Sequence, residues 1–563
     1  MINKIRNLIV SNNLDGYIIP KNDEFFTEYS KTSKLEMVAK FTGSAGFILI
    51  LKKKNYLFVD GRYTTQAKQQ SGKRFNIHEI PYVWPKDILK NYNPKNIGFD
   101  PKLFTKDTLK LYFNNSCNLF PVTSNLFKNR IEKINNDNLV YSISSSISGE
   151  SSQSKIKRLK KIIKRKEIDN LFISSNENVC WLLNIRGKDL PNSPIANFQA
   201  IFTNKQEIFL FGDIRKLKII KKKLLNENIV FFEKNKFFQI LSSLKGKSFG
   251  IDNKTCSLFN ENLINSKYII KNRTDPIYKL KSIKNSIEIK NMKDVHIQDG
   301  VAVTKFLFWI KNTKIDKLDE IKVEKKLESF RKQSKNFLFP SFSTIAGSGP
   351  NGAIIHYRSN KKSNRKLKKN HLLLLDSGGQ YKWGTTDVTR TISFNKPNKK
   401  IKELYTRVLK GHIAVAVAKI DKLKNGNNLD KLARKSLKSI NLDYKHGTGH
   451  GVGFFMNVHE GPQSISKNNF VKLEKGMIIS NEPGYYLENK FGIRIENLVY
   501  VDSIKKKLLL KNLTFVPLEK DLIETSLLTK IEKDYIFNYH LETYFKISPY
   551  LKNNERKWFV KLI

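Results

Sequence analysis

Five short stretches of this sequence set acids and histidines among glycines: HLLLLDSGGQYKWGTTDVTRT, HGTGHGVG, VHEGP, SNEPGYY and FGIRIENLVY. In the first, Asp376 ends an apolar strand and Asp387 follows a glycine-containing turn near the start of the next. Pairing of those two strands predicts both carboxylates at one end of a sheet. The remaining stretches offer His446, His450, His459, Glu482 and Glu496. Carboxylates with one or two imidazoles form a mixed oxygen and nitrogen ligand set, suited to Mn²⁺, Fe²⁺, Co²⁺ or Zn²⁺. Four carboxylates are too many for one ion. Buried together without cations they would repel one another and hold protons, whereas two divalent cations would balance their charge. The expectation is a centre for two metals.

Each residue taken alone has a plainer reading. Asp376 and Asp387 are of a type favoured in turns. His446 and His450 could pack a glycine-rich loop, Glu482 could be a strand-end acid before Pro483, and Glu496 could pair with Arg494 or Lys490 at the surface. Taken together these readings leave unexplained why such motifs gather within about 120 residues of a chain otherwise rich in Lys and Asn.

The elements that must position these residues can be read from hydrophobic pattern. With 563 residues the chain is too long for one core. Its 40% hydrophobic content excludes global disorder. Two early segments echo each other. IRNLIVSNNLDGYIIP and KIKRLKKIIKRKEIDNLFIS each give a helix and then a strand, aligning Asp15 with Asp169, and NIGFD matches SFGID further on. These predict two related α/β domains, joined by the serine-rich stretch Ser142 to Ser154. A long helical pattern from Ser286 opens a third domain whose second half is mainly strands, and an aromatic helical tail follows. The three cysteines, Cys117, Cys180 and Cys256, lie far apart without a CxxC, which suggests neither a disulfide framework nor a zinc site and fits a reducing compartment. No signal-peptide pattern and no run of the ~20 apolar residues a bilayer requires is found, so the expected location is cytoplasmic. The net charge of +51 is spread along the chain and reads as solvated surface, with no specific nucleic-acid or membrane partner.

These motifs resemble those of the "pita-bread" metallopeptidases, and specifically the long, three-domain form of the Xaa-Pro aminopeptidase (aminopeptidase P) family. IIPKNDEFFTEY, FTGSAGF, DGRYTTQA, WLLNIRGKDLPNSP and the tail NYH with Trp558 extend the resemblance over nearly the whole chain. It implies an α/β and α+β multidomain fold: two related α/β domains at 1–150 and 151–283, a pita-bread catalytic domain at 284–507, and a short helical extension at 508–563. It further implies that Asp376 binds one metal, His450 and Glu482 the other, and that Asp387 and Glu496 bridge both. The metal is expected to be Mn²⁺, with Zn²⁺ or Co²⁺ as alternatives. His356, in what reads as a loop-to-strand segment, His446 and His459 would be the remaining active-site histidines. Arg494, on the same strand face as Glu496 by period two, would orient carboxylates or substrate. Arg62 would approach the site of a neighbouring subunit in a homodimer.

The implied reaction is hydrolysis of the bond before a proline in second position, by a hydroxide bridging the two metals, with Glu482 as general base and then acid. Two readings compete. One is a prolidase restricted to Xaa-Pro dipeptides, or a methionine aminopeptidase, against which the length of the chain speaks. The other is a non-enzymatic basic binding protein on the same fold, which would have no reason to keep four buried acids together.

Overall fold

The structure, a computed structural model, describes residues 1–28, 30, 32–92, 95–123, 126–127 and 138–563; Tyr29, the last residue of IIPKNDEFFTEY, lies outside them. The chain divides into two compact units, Met1–Leu280 and Lys281–Ile563.

In the first unit a helix, Ile2–Ser11, turns Ile5 and Ile9 inward and leads into a sheet. Its strands are β1 (Gly16–Pro20), β2 (Phe47–Leu51), β3 (Asn55–Asp60), β4 (Asn76–Ile80), β5 (Asn96–Phe99) and β6 (Asn118–Pro121). They lie in the order β4-β3-β2-β1-β5-β6. A second sheet comprises β8 (Asn170–Ile173), β10 (Gln199–Thr203), β11 (Ile208–Phe211), β12 (Ile229–Phe232), β13 (Ser248–Ile251) and β14 (Ile269–Asn272), ordered β12-β11-β10-β8-β13-β14. The two orders superimpose strand for strand. Parallel and antiparallel pairings also match, with β1–β2 and β8–β10 antiparallel and β1–β5 and β8–β13 parallel. The aligned aspartates play the same part in both. Asp15 accepts from Asn96 N–H (2.9 Å) and Asp169 from Lys247 and Ser248 N–H (2.9 and 3.0 Å), each tying the start of the first strand to the start of the fifth. Helix Ser152–Arg165, capped by Ser151 on Ser154 N–H, buries Ile156, Leu159 and Ile163 and leaves its lysine-rich face to water. The serine-rich stretch before it carries a helical turn, Ser145–Ser148, and begins in β7 (Tyr141–Ser142), which pairs with β9 (Ile185–Arg186).

The second unit begins with the 26-residue helix Ser286–Lys311, whose N-terminus is closed by a capping box between Asn285 and Glu288. With helix Glu320–Arg331 it covers the sheet β16 (Ile345–Ser348), β17 (Leu373–Ser377) and β20 (Val388–Ile392), packing Phe306, Ile310, Val323 and Leu327 against Leu373, Leu375 and Ile392. Two short strands, β18 (Gly379–Tyr381) and β19 (Gly384–Thr385), interrupt the path from β17 to β20 and join β15 (Phe337–Pro340) in a separate sheet. A second helix pair, Lys399–Ala416 and Gly426–Lys438, lies against a sheet ordered β22-β21-β23-β26-β27. Its strands are β21 (Gly449–Gly451), β22 (Glu460–Ile465), β23 (Ile478–Asn481), β26 (Asn497–Ile504) and β27 (Lys507–Asn512). The hairpin β24 (Gly484–Leu487) with β25 (Phe491–Arg494) stands apart from it. Helices Lys530–Ile547 and Asn553–Val560 end the chain, and the ring of Trp558 meets that of Phe308 on the long helix. Among the described residues no helix is long and apolar enough to cross a membrane.

Two local expectations are corrected. Arg494 and Glu496 do not share one continuous strand: β25 ends at Arg494, β26 begins at Asn497, and Glu496 N–H donates to Thr389 O between them. The segment around His356 runs from strand to loop rather than loop to strand. Gly347 and Ser348 close β16, a 3-10 turn spans Gly349–Ala353, and His356 lies in the turn that follows.

Candidate metal centre

Strand pairing brings the acids together. In the antiparallel pair β17–β20, Asp376 faces Thr389 and Ser377 faces Val388, so Asp387, one residue before β20, sits at the same sheet end as Asp376. In the pair β23–β26, Asn481 faces Asn497. Glu482 follows the one and Glu496 precedes the other, which sets them side by side where the ladder opens. His450 is the middle residue of β21, paired to β23 through Gly451 and Ile479. Gly449 permits this approach, because a Cβ there would collide with the Ser480 carbonyl oxygen.

Ligand atoms of Asp387, His450 and Glu496 lie within 4.8 Å of one another. His450 Nε2 is 3.5 Å from Asp387 Oδ2 and 3.5 Å from Glu482 Oε1. Its other nitrogen, Nδ1, is 2.9 Å from Gly451 O, which assigns the proton to Nδ1 and turns the Nε2 lone pair towards the carboxylates. Glu482 Oε1 also accepts from Ser480 Oγ (3.0 Å), and Glu496 Oε2 from Thr389 Oγ1 (2.8 Å).

Electrostatics place this cluster in want of positive charge. Burial, then the charges of Asp376 and Glu482, hold the Asp387 carboxyl well above the ordinary carboxylate range. Burial, then Asp387, Glu482 and Asp376, do the same to Glu496. Asp376 Oδ1 and Asp387 Oδ1 are buried and have no hydrogen-bond partner among the described residues. Orphaned carboxylate oxygens beside an imidazole lone pair are the donor set that divalent cations satisfy, so the residues fit a metal centre.

A second ring of groups holds the first. Arg494 Nη2 donates to Asp376 Oδ2 (2.6 Å), Nη1 to Tyr486 Oη (2.6 Å), and both to Ile355 O (3.3 Å each), the residue before His356. Tyr486 Oη is 2.9 Å from His446 Nε2, and His446 Nδ1 is 2.7 Å from Gly447 O. Since the phenol accepts from Arg494, its proton goes to His446, completing a chain from Asp376 to His446. The His459 ring stands edge-on to that of His450, with centroids 4.2 Å apart. His356 is half-buried. Arg62 belongs to the first unit, where its guanidinium forks onto Asp60 at 2.9 and 2.7 Å. Sequence reasoning misses Tyr486, Thr389 and Gly449. Each stands inside one of the glycine-rich motifs, and period-two alternation from Gly484 and Asp387 is the available signal.

Comparison with known proteins follows the same division. The model of Metallopeptidase family M24 matches residues 290–503, and that of its C-terminal region matches 507–562. A Creatinase/Prolidase N-terminal domain is matched twice, at 1–130 and 132–288. The chain is 35% identical over 595 residues to Xaa-Pro aminopeptidase 1 of Dictyostelium discoideum, covering 99% of this chain and 94% of that one. It is similar to the crystal structure of an X-prolyl aminopeptidase from Caenorhabditis elegans, described as a cytosolic enzyme with a di-nuclear active site. The TM-score is 0.92 at 27% identity, over 100% of this chain and 98% of the other. The prolidase of Pyrococcus horikoshii OT3 gives a TM-score of 0.53 at 28% identity, over 65% of this chain and 99% of that one.

Proposed function

We propose that this chain, which belongs to Metallopeptidase family M24, is a metal-dependent aminopeptidase that removes the first residue from peptides with proline in second position. The carrying observation is the convergence of Asp376, Asp387, His450, Glu482 and Glu496 from separate strands, with two buried carboxylate oxygens unpartnered among the described residues. Asp376 would hold one cation and His450 with Glu482 the other, with Asp387 and Glu496 shared between them. Bound there, two divalent cations would supply Lewis acidity and draw the pKa of a water down towards neutrality.

This chain's own residues do the rest. Glu482, accepting from Ser480 on one side, receives the water proton and returns it to the departing proline nitrogen. His356 and His459 donate to the oxygen on which charge develops at the attacked carbonyl. Arg494 fixes Asp376 and, through Tyr486, His446. Proline lacks the N–H by which other peptide bonds are gripped, so recognition falls to the shape of the site and to acids near the free amine.

The finer assignments are ours as well. The metal is Mn²⁺, with Zn²⁺ or Co²⁺ as substitutes, since oxygen-rich sites with one imidazole suit Mn²⁺. The working form is a cytosolic homodimer in which Arg62 reaches the partner's site. We divide the domains at 150, 283 and 507, where the family matches break at 130, 288 and 503. A dipeptidase is disfavoured because the prolidase likeness covers only 65% of the chain. The test is hydrolysis of Xaa-Pro tripeptides by purified protein, before and after chelation and on adding back Mn²⁺, beside an Xaa-Pro dipeptide. Cleavage of the dipeptide alone would overturn the assignment.

A further inference from the structure

We propose that Glu320 is a positioning residue for this reaction, its buried carboxylate fixing the loop that carries His356. The inference rests on the reading of His356 given above and adds a residue to it. Glu320 is the first residue of helix Glu320–Arg331, behind the cap made by Asp319, and its side chain is fully buried. In sequence it is an ordinary first-turn acid of an exposed-looking helix, LDEIKVEKKLESF. In space it is the hub of a different segment.

Glu320 Oε1 accepts from Ser348 N–H (2.8 Å) and Asn351 Nδ2 (3.0 Å). Oε2 accepts from Tyr357 Oη (2.8 Å) and Arg365 N–H (2.9 Å). Ser348 and Asn351 precede His356 and Tyr357 follows it directly, so one carboxylate ties the loop down on both sides of the histidine. Arg494 grips the backbone between those ties, at Ile355 O. His356 is thus held between a fixed point linked to the metal ligand Asp376 and a fixed point at Glu320.

Every partner of Glu320 is a donor: two backbone amides, a side-chain amide and a phenol. Among the described residues it has no ion pair, and the nearby Arg365 spends its Nε on Asn351 Oδ1 (3.1 Å). A carboxylate removed from water without a cation is costly, and a glutamine in its place would set an NH₂ against these donors. The carboxylate's acceptor positions are matched to the loop, which is how side chains behind a reacting group set its orientation.

The experiment is a double-mutant cycle on kcat and KM for an Xaa-Pro tripeptide, with metal content measured for every variant. Glu320→Gln is expected to lower kcat about 10–100-fold with KM and metal content nearly unchanged. In a His356→Ala background the same substitution should lower kcat by less than about twofold, because the group being positioned is gone. Tyr357→Phe removes one donor only and serves if Glu320→Gln fails to fold; it should show the same loss of effect without His356. Equal fold-losses in both backgrounds, or no loss in the His356-containing protein, overturn the proposal. If His356→Ala alone leaves kcat unchanged, the role given to His356 has failed instead, and Glu320 loses its target with it.

Discussion

Arg494 Nη2 lies 2.6 Å from Asp376 Oδ2, and both side chains are buried. The guanidinium engages one oxygen of the carboxylate, and the other, Oδ1, has no hydrogen-bond partner among the described residues. That oxygen is the one Asp376 has free to offer a cation. Arg494→Lys keeps the charge but replaces a planar fork by a point donor that does not serve Tyr486, Ile355 and Asp376 together. The expected outcome is a fall of about 10–100-fold in metal affinity, read by titrating chelated protein with Mn²⁺; unchanged affinity would show that Arg494 does not orient the ligand.

Asp387→Ala or Glu496→Ala should remove turnover, by about a thousandfold or more, together with metal content, as expected of ligands shared between two ions. Element analysis of the dialysed variants checks this. A variant that kept two metals per chain at full rate would sink the ligand assignment.

Metal affinity should rise with pH. The Asp387 and Glu496 carboxyls are held above their ordinary range by burial and by neighbouring carboxylates. The metal-free site therefore retains protons at a pH where free carboxylates have lost them, and an arriving cation must displace them. Calorimetric titration with Mn²⁺ in two buffers of different ionisation enthalpy should register proton release that shrinks as pH rises. No release anywhere between pH 5 and 7 would count against a buried carboxylate cluster.

His540 connects the tail to acid stability. It is buried, its Nε2 accepts from Leu518 N–H (3.0 Å), and burial lowers its pKa from 6.5 to about 4. The folded-state value lies below the unfolded one, so the contribution is complete above pH 6.5 and is lost as pH falls towards 4. At pH 5 the loss is about 2 kcal/mol, at about 1.4 kcal/mol per pH unit. Urea unfolding of metal-free protein at pH 7.5 and 5.0 should show a drop that is smaller by that amount in His540→Gln. An equal drop in both proteins would remove His540 from the account.

Much of this architecture is legible in the sequence because it rests on local pattern. The helix and strand within each of the echoing segments, and the equivalence of Asp15 and Asp169, follow from apolar spacing and turn chemistry. The carboxylates are legible because strand ends gather such groups wherever glycine-rich turns interrupt apolar runs. Other features depend on partners far apart in the chain. The break at Ile495 between Arg494 and Glu496 arises because Glu496 N–H leaves its own ladder for Thr389 O. The insertion of β18 and β19 depends on β15, some forty residues upstream. Glu320 shows the limit best. Nothing in its own helix distinguishes it from Glu324 or Glu328, and its role comes from donors at 348, 351, 357 and 365.

Gly449 adds no donor and no charge, yet the space it leaves beside the Ser480 carbonyl lets the strand of His450 lie against the strand leading to Glu482. One extra methyl group at that position would wedge the two apart with all five donors still spelled out in the chain. Disarming this protein would therefore require no change to any of the five proposed donors, and a gene copy that spells all of them would still encode an idle protein.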